Sequence, residues 1–521
     1  MMSSLTDVNY SDLLIEALTR YPKRTAFVAG DRRLSYDMVR DRIGRFMRVL
    51  SDHGVVPGDG IGVLSANMPE VWMVQAAATL LGLHYSGLHP LGSAEDHAYV
   101  CDDGGVNVLI VDPAHASVGG EIMARSAVVR HTFVLGQSDL APDLIRLSES
   151  APPTLLVRYD FGPDHVPWIA YTGGTTGRPK GVKLPDRAMS QAVVSVTAAL
   201  DLPSSPRYLA VAPLSHAGVL PIVPTLLRGG TVVVQRGFDP EQWLRTVQDE
   251  RVNWSFCVPT MLYKLLDSGL AGRFDVSSLE TLMYGASPMS PSRIAEAHEA
   301  LGPVLLQAYG QTECVSWATV LRKDEHDPNR DPDLLGSCGR PVLGARVELL
   351  DEEDQPVAAG AVGEICVRGR GIMSGYQGLT AQTEEALRSG WLHTGDLAVK
   401  DERGYFHIVE RKKDMIISGG FNVYSREIED VIAEDPDVAA VAVIGIPSAQ
   451  WGEAVTAVVV PRPGSTVDIS TLTESVKRRK GAHQAPKAIE IVDRLPLTAV
   501  GKIDKKRLRE QYWAGLERHV H

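Results

Sequence analysis

Short apolar runs alternating with stretches of helical period constrain this chain more than any other feature. From Leu34, "SYDMVRDRIGRFMRVLSDHG" spaces its apolar residues by three and four, which predicts a helix with Gly54 as its stop. "GIGVLSAN" then reads as a strand, Pro69–Leu83 as a helix and "VNVLIVD" as a buried strand. The alternation resumes downstream with "YLAVAP", a long helical stretch, "TVVVQ", "WSFCVP", "LETLMYG" and "VLLQAYG". Strands without a polar face, separated by helices, belong in parallel sheets covered on both sides, so the fold class is α/β. At 521 residues the chain exceeds what one core serves, and two or more domains are expected. Around Gly336 the pattern changes. "GARVELLDEEDQPVAAGAVGEICVRG" alternates apolar and polar residues between turns, which predicts an antiparallel region forming a small distorted β-barrel. The tail from Phe421 returns to α/β with "REIEDVIAEDP", "VAAVAVIGIP", "AVTAVVVP" and a basic helix, "TLTESVKRRKG". The polar joint "ERKKD" (Glu410–Asp414) marks a boundary between domains at 1–411 and 412–521.

Charge and composition exclude several classes. A net charge of −12 argues against nucleic acid as a partner. The start, "MMSSLTDVNYSDLLIE", lacks a basic segment followed by an apolar one, so no signal peptide is expected. Gln75, His84 and His89 interrupt the most apolar stretch, which reads as core and not as a transmembrane segment. Cys101, Cys257, Cys314, Cys338 and Cys366 are scattered, with no CxxC pair. That usage suggests a reducing compartment, buried thiols and no zinc site, with the cytoplasm as the expected location.

"YTGGTTGRPKG" (Tyr171–Gly181) carries the first chemical signal. A P-loop needs Ser or Thr after its lysine and a helix starting there, whereas Lys180 lies between Pro179 and Gly181. The run also lacks the GxGxxG spacing of a dinucleotide fold. Its glycines still let backbone N–H groups approach a phosphate, and Thr172, Thr175, Thr176 and Lys180 supply donors.

Four further motifs follow in order: "AYGQTE" (Ala308–Glu313), "GWLHTGDL" (Gly390–Leu397), "ERKKDMIISGG" (Glu410–Gly420) and "PLTAVGKIDKKRLR" (Pro496–Arg509). With the threonine- and glycine-rich run, they resemble the adenylate-forming superfamily of acyl-CoA synthetases, adenylation domains and luciferases, over nearly the whole chain. The resemblance implies a large N-terminal domain of two α/β subdomains plus the small barrel, and a small mobile α+β C-terminal domain. It also implies a reaction in which a carboxylic acid and ATP form an acyl-adenylate, with Mg²⁺, before a thiol takes the acyl group. Such chemistry needs charge neutralisation and fixed geometry rather than an enzyme nucleophile, and the sequence has no GxSxG elbow.

Carried onto this sequence, the family pattern assigns the β- and γ-phosphates to Thr172, Gly173, Gly174, Thr175, Thr176, Gly177 and Lys180. It assigns the α-phosphate to Thr312 and Mg²⁺ to Glu313 with Thr172, oxygen ligands suited to a hard cation. Adenine would lie against Tyr309, bordered by Gly285, Ala286, Ser287, Gln307, Ala308 and Gly310. Asp396 would accept the ribose hydroxyls beside Arg411, and Lys502 would bridge the carboxylate and the α-phosphate. Lys413 aligns with the hinge about which the C-terminal domain rotates. Gly419 and Gly420 would line the pantetheine tunnel.

The acyl pocket of the family lies between "PLSHAG" and "MYGASP". His216 matches a histidine flanking the carboxylate in coumarate–CoA and related ligases, and Gly285 would form a wall. Leu214 to Val223 carries no acidic residue to hold an α-amine, which disfavours amino-acid substrates. A fatty, alicyclic or aryl acid is expected. For the thiol, Arg236, Lys477, Arg478 and Arg479 are candidates for the 3′-phosphate of CoA, although "VKRRKG" also reads as the solvated face of a helix. No carrier domain follows "KKRLRE", which suits a stand-alone acid–CoA ligase. Loading of a separate carrier protein and non-catalytic binding stay open, as does assembly as a homo-oligomer. The sequence departs from the family pattern at Gly173 (often serine), Ile417 (lysine in coumarate–CoA ligases), Ser425 (often proline) and Lys505–Lys506 (near a common arginine).

Overall fold

The computed structural model describes residues 9–157, 162, 164–172, 178–418, 421–448, 450–498 and 501–513. Among them, two large sheets carry the predicted α/β alternation. A nine-stranded sheet runs in the order Arg340–Pro341, Thr319–Leu321, Leu305–Tyr309, Thr281–Gly285, Trp254–Cys257, Arg207–Ala210, Thr231–Val234, Thr25–Ala29, Arg32–Ser35. Its strands from Leu305–Tyr309 through Thr25–Ala29 are mutually parallel. A seven-stranded sheet runs Gly375–Tyr376, Lys180–Leu184, Trp168–Thr172, His84–Leu88, Gly60–Leu64, Val106–Val111, His131–Val134. One apolar core joins both sheets, drawing on Phe27, Tyr208 and Val232 from the first and on Ile61, Val63 and Val108 from the second.

Helices take the predicted places, with local chemistry setting their ends. Ser35 caps the helix Tyr36–Asp52 by accepting from the Met38 N–H. The next helix, Pro69–Leu81, stops two residues before the expected Leu83 because Gly82 turns left-handed at φ 72°. It is buried on nearly every face, with Trp72 centred 5.4 Å from Phe27. Truncating Trp72 to alanine would cost about 3–5 kcal/mol. The long helical stretch expected after "YLAVAP" is instead a short 3₁₀ turn, Ala217–Val219, and the helix Ile222–Leu227. Pro221 and the Gly229–Gly230 pair confine it to that length.

The antiparallel region expected as a small barrel is an open four-stranded sheet, ordered Ala345–Leu350, Gly363–Gly369, Leu392–Lys400, Phe406–Arg411. Its outer strands do not pair, since four strands cannot close around a side-chain interior. After the 3₁₀ turn Lys412–Asp414, the chain enters a different sheet, built from Phe421–Val423, Ile416–Ser418, Gly452–Pro461, Val438–Ser448 and Ala488–Ile491. Ile428, Val431, Val443, Val455 and Leu472 form its separate core. All five cysteines are free and buried. No helix among the described residues is long and apolar enough to cross a membrane.

Candidate active site

Thr172 and Lys180 sit opposite each other at the turn end of the hairpin Trp168–Thr172/Lys180–Leu184. Between them, Gly173, Gly174, Thr175, Thr176 and Gly177 lie outside the described residues. The Lys180 ammonium is 5.4 Å from the centre of the Tyr376 ring. Tyr376 in turn donates its hydroxyl to Glu313 Oε1 at 2.9 Å. Burial, followed by the nearby Glu313 carboxylate, raises the Tyr376 pKa well above its ordinary value, so the phenol stays a neutral donor. Sequence reasoning missed Tyr376, although "SGYQG" places an aromatic residue in a glycine-bounded turn. Its strand pairs with Lys180–Leu184, and that pairing brings it beside the Lys180 side chain.

Beside this corner, Gln307, Ala308 and Tyr309 end a strand parallel to Thr281–Gly285, with Gly310 next. Gly285 is required by backbone approach, because a Cβ there would sit 2.3 Å from the Ala308 carbonyl oxygen. Ala286 follows in a left-handed conformation at φ 70°, a strained position next to the partly exposed Ser287. Thr312 and Glu313 are partly exposed in the turn after Gly310. Tyr309 donates its hydroxyl to Asp396 Oδ2 at 2.8 Å, and Arg411 Nε donates to Asp396 Oδ1 at 3.0 Å. Asp396 and Arg411 face each other across neighbouring strands, and the Asp396 charge raises the Arg411 pKa. Asp396 is only 4% exposed, so its charge is fixed by two donors in a low-dielectric wall.

A second group braces Asp396 and was not legible from spacing. Glu364 Oε1 accepts the Gly395 N–H at 2.8 Å, and Glu364 Oε2 lies 3.2 Å from His393 Nδ1. Thr394 Oγ1 donates to Ile365 O at 2.7 Å and accepts from the Asp396 N–H at 3.1 Å. Glu364, Cys366 and His393 bring possible metal-ligand atoms within 4.8 Å of one another. Arg388, 3.5 Å from Glu364, already supplies the cation there, and the group acts as a hydrogen-bonded brace for the Thr394–Asp396 turn.

Lys502 reaches this cleft from the C-terminal sheet's side. Gly501, at φ +79°, would place a Cβ 3.1 Å from Thr260 Oγ1 on the helix Pro259–Asp267. Burial and then the Arg411 charge lower the Lys502 pKa to about 8, partly offset by Asp396 and Glu313. The two parts of the chain are joined nearby: Arg426 donates to Met289 O at 2.8 Å, and Ser292 donates to Ala433 O at 3.2 Å. Arg462 lies 3.6 Å from both Asp267 and Glu296. Burial, followed by Arg411, lowers the Lys413 pKa. Gly419 and Gly420 fall outside the described residues.

His216 sits in a loop clamped by Asn67, a residue sequence reasoning missed. Asn67 Nδ2 donates to Ala212 O at 3.0 Å and to Val211 O at 3.3 Å, while its Oδ1 accepts the Leu214 N–H at 2.9 Å. Burial, then His89 and Lys502, lower the His216 pKa to about 4, leaving a neutral ring. Three of the four CoA candidates are already engaged: Arg236 pairs with Asp112, Lys477 with Glu474 and Arg479 with Glu434. Lys477, Arg478 and Arg479 occupy the last turn of the helix Ile469–Lys480.

The cleft therefore gathers a carboxylate held by two donors (Asp396), a partly exposed carboxylate (Glu313), a partly exposed hairpin end (Thr172 and Lys180) and a partly buried cation (Lys502). The model of the AMP-binding enzyme family matches residues 14–377, and that of the AMP-binding enzyme C-terminal domain matches residues 427–502. The chain belongs to the AMP-binding enzymes. It is 44% identical to the medium/long-chain fatty acid–CoA ligase FadD8 of Mycobacterium tuberculosis, over 98% of this chain and 91% of that protein. It is 39% identical to a feruloyl-CoA synthase of an Amycolatopsis species, over 94% of this chain and 96% of that protein. Among solved structures, the amide bond synthetase McbA of Marinactinospora thermotolerans superposes with a TM-score of 0.89 at 32% identity, covering 96% and 99% of the two chains.

Within that family, two of the departures noted in the sequence are coupled in space. Ser425 replaces a proline, and its N–H donates to Glu410 Oε2 at 2.6 Å, a bond proline lacks. Lys505 donates to Ser425 Oγ at 2.5 Å and pairs with Glu429 at 2.7 Å. Ile417, where coumarate–CoA ligases have lysine, offers only its N–H, which bonds Glu453 Oε2 at 2.9 Å.

Proposed function

We propose that this AMP-binding enzyme is an ATP-dependent acid–CoA ligase acting on a carboxylic acid with an apolar body, of the medium-to-long fatty or arylpropenoic kind. The acid and ATP form an acyl-adenylate and pyrophosphate. CoA then takes the acyl group and releases AMP. The observation that carries this reading is the electrostatic meeting of Lys502, from the C-terminal part, with Asp396, Glu313 and His216 of the N-terminal part.

In this reading Asp396, held by Tyr309 and Arg411, orients the ribose. Lys502 lies across the carboxylate and the α-phosphate and offsets charge as the phosphorus becomes five-coordinate. Thr172, Lys180 and the glycine- and threonine-rich run hold the outer phosphates, and Thr312 holds the α-phosphate. The residues fit Mg²⁺: Glu313 keeps one carboxylate oxygen anchored on Tyr376 and is partly exposed at the Thr172 end, a hard-oxygen set. When bound, Mg²⁺ would neutralise phosphate charge there. The neutral His216 flanks the acid, and the absence of any acidic side chain from Leu214 to Val223 suits an uncharged acyl body. Domains 1–411 and 412–521, hinged at Lys413, alternate between the two half-reactions, and the reaction runs in the cytoplasm. FadD8 and feruloyl-CoA synthase support the substrate class by their own named activities.

The test is AMP release from ATP and Mg²⁺ over a panel of aliphatic, benzoic, cinnamic and alicyclic acids, with and without CoA. Release that needs both an acid and CoA supports the ligase. Pyrophosphate exchange without CoA-dependent turnover shifts the reading to carrier loading.

A further inference from the structure

His89 directly follows the strand His84–Leu88 and packs edge-on against His216, ring centroids 5.4 Å apart at 68°. The strand and the His216 loop are in close contact, because a Cβ on Gly87 would lie 2.6 Å from the Ser215 carbonyl oxygen. One contact fixes the state of the His89 ring. Its Nδ1 accepts the Leu91 N–H at 3.2 Å, which places the imidazole proton on Nε2. Its own carbonyl accepts from His97 Nε2 at 3.0 Å and from the Gly92 N–H at 2.8 Å, holding the backbone in place. The ring is 9% exposed, and Nε2 is buried with no hydrogen-bond partner. A buried donor without an acceptor is destabilising, and an acceptor brought by a ligand would relieve it. Its neighbour His216 uses Nδ1 on Ser215 Oγ at 2.9 Å, leaving Nε2 for a ligand.

We propose that His89 is a second acid-binding imidazole, whose Nε2–H donates to an oxygen of the substrate carboxylate alongside His216. Two imidazoles set edge-to-face suit the two oxygens of one carboxylate. Lys502, whose charge acts on His216, is also within electrostatic reach of Asp396 and Glu313. His89 therefore sets affinity for the acid and leaves ATP and CoA binding alone. The inference rests on the reading of this pocket as the acyl site.

The experiment uses full-length His89→Phe, His89→Gln and His216→Phe proteins, with the panel acid of highest kcat/KM. Phenylalanine keeps the aromatic packing and removes the donor, whereas glutamine places an amide N–H near the Nε2 position. His89→Phe is expected to raise KM for the acid about tenfold, with KM for ATP and CoA unchanged, and His89→Gln to recover most of the loss. An unchanged acid KM in His89→Phe overturns the proposal. So does an equal rise in both His89 variants, which would assign the effect to ring packing. If His216→Phe raises the acid KM and His89→Phe does not, this inference alone fails. If neither variant alters it, the acyl-site reading fails as well.

Discussion

Tyr376 donates its hydroxyl to Glu313 at 2.9 Å while its ring lies under the Lys180 ammonium at 5.4 Å, so one aromatic side chain ties the Thr172–Lys180 hairpin to the proposed Mg²⁺ ligand. A ligand carboxylate held by an outer hydrogen bond binds metal in a fixed orientation. Tyr376→Phe keeps the ring and deletes the donor. The Mg²⁺ concentration for half-maximal AMP release should rise about tenfold, with the acid KM unaffected. Titrating Mg²⁺ at saturating ATP checks this, and an unaltered Mg²⁺ curve would remove Tyr376 from the metal's support.

Lys502 carries the pH dependence. Its pKa, lowered to about 8 by burial and Arg411, puts loss of the ammonium within the working range. The charged form is the useful one, so kcat/KM for adenylation should decline as pH rises through about 8. His216 stays neutral down to about pH 4 and adds no limb near neutrality. Lys502→Arg should carry the alkaline limb to higher pH. Lys502→Ala should lower adenylate formation about 10²–10³-fold while sparing thioester formation from supplied acyl-adenylate. Normal adenylation by that protein would refute the role given to Lys502.

Lys413 lies in the 3₁₀ turn between the four-stranded sheet and the C-terminal sheet. Across the joint, the Arg462 contacts with Asp267 and Glu296 and the Arg426 bond to Met289 hold Lys502 against the cleft. Lys413→Pro restricts rotation at the turn without touching that arrangement. Single-turnover assays should find pyrophosphate release retained and the CoA step slowed by about tenfold or more. Equal loss of both steps would count against alternation.

Ser425 opens the helix Ser425–Ile432, where proline is normally well tolerated because the first N–H has no helical partner. Here that N–H is spoken for by Glu410 at 2.6 Å. Ser425→Pro should therefore destabilise the joint by about 1–3 kcal/mol, despite restoring the residue frequent in relatives. Adding Lys505→Ala should cost less than the sum of the two single changes, since both act on one network. A thermal denaturation series of the three proteins decides, and a stabilised Ser425→Pro would refute the coupling.

Strand and helix order and the positions of the five motifs were legible in the sequence, whereas the hairpin that sets Thr172 opposite Lys180 was not. Periodicity, proline and glycine act within a turn or a strand, where neighbours in sequence are neighbours in space. The same signals overestimated the helix after "YLAVAP", where closely set prolines and glycines outweighed apolar content. They also closed a barrel that four strands leave open. Tyr309 and Asp396, 87 residues apart, and Tyr376 and Glu313, 63 apart, meet only because of sheet order and strand register. The Asn67 clamp on the His216 loop and the His89–His216 contact arise likewise where the ends of different strands converge. The sequence by itself determined which chemical groups the chain carries and the local elements that bear them. Only the tertiary structure decided which groups share a hydrogen bond, because a side chain's partner across a sheet depends on pairings that no local pattern encodes.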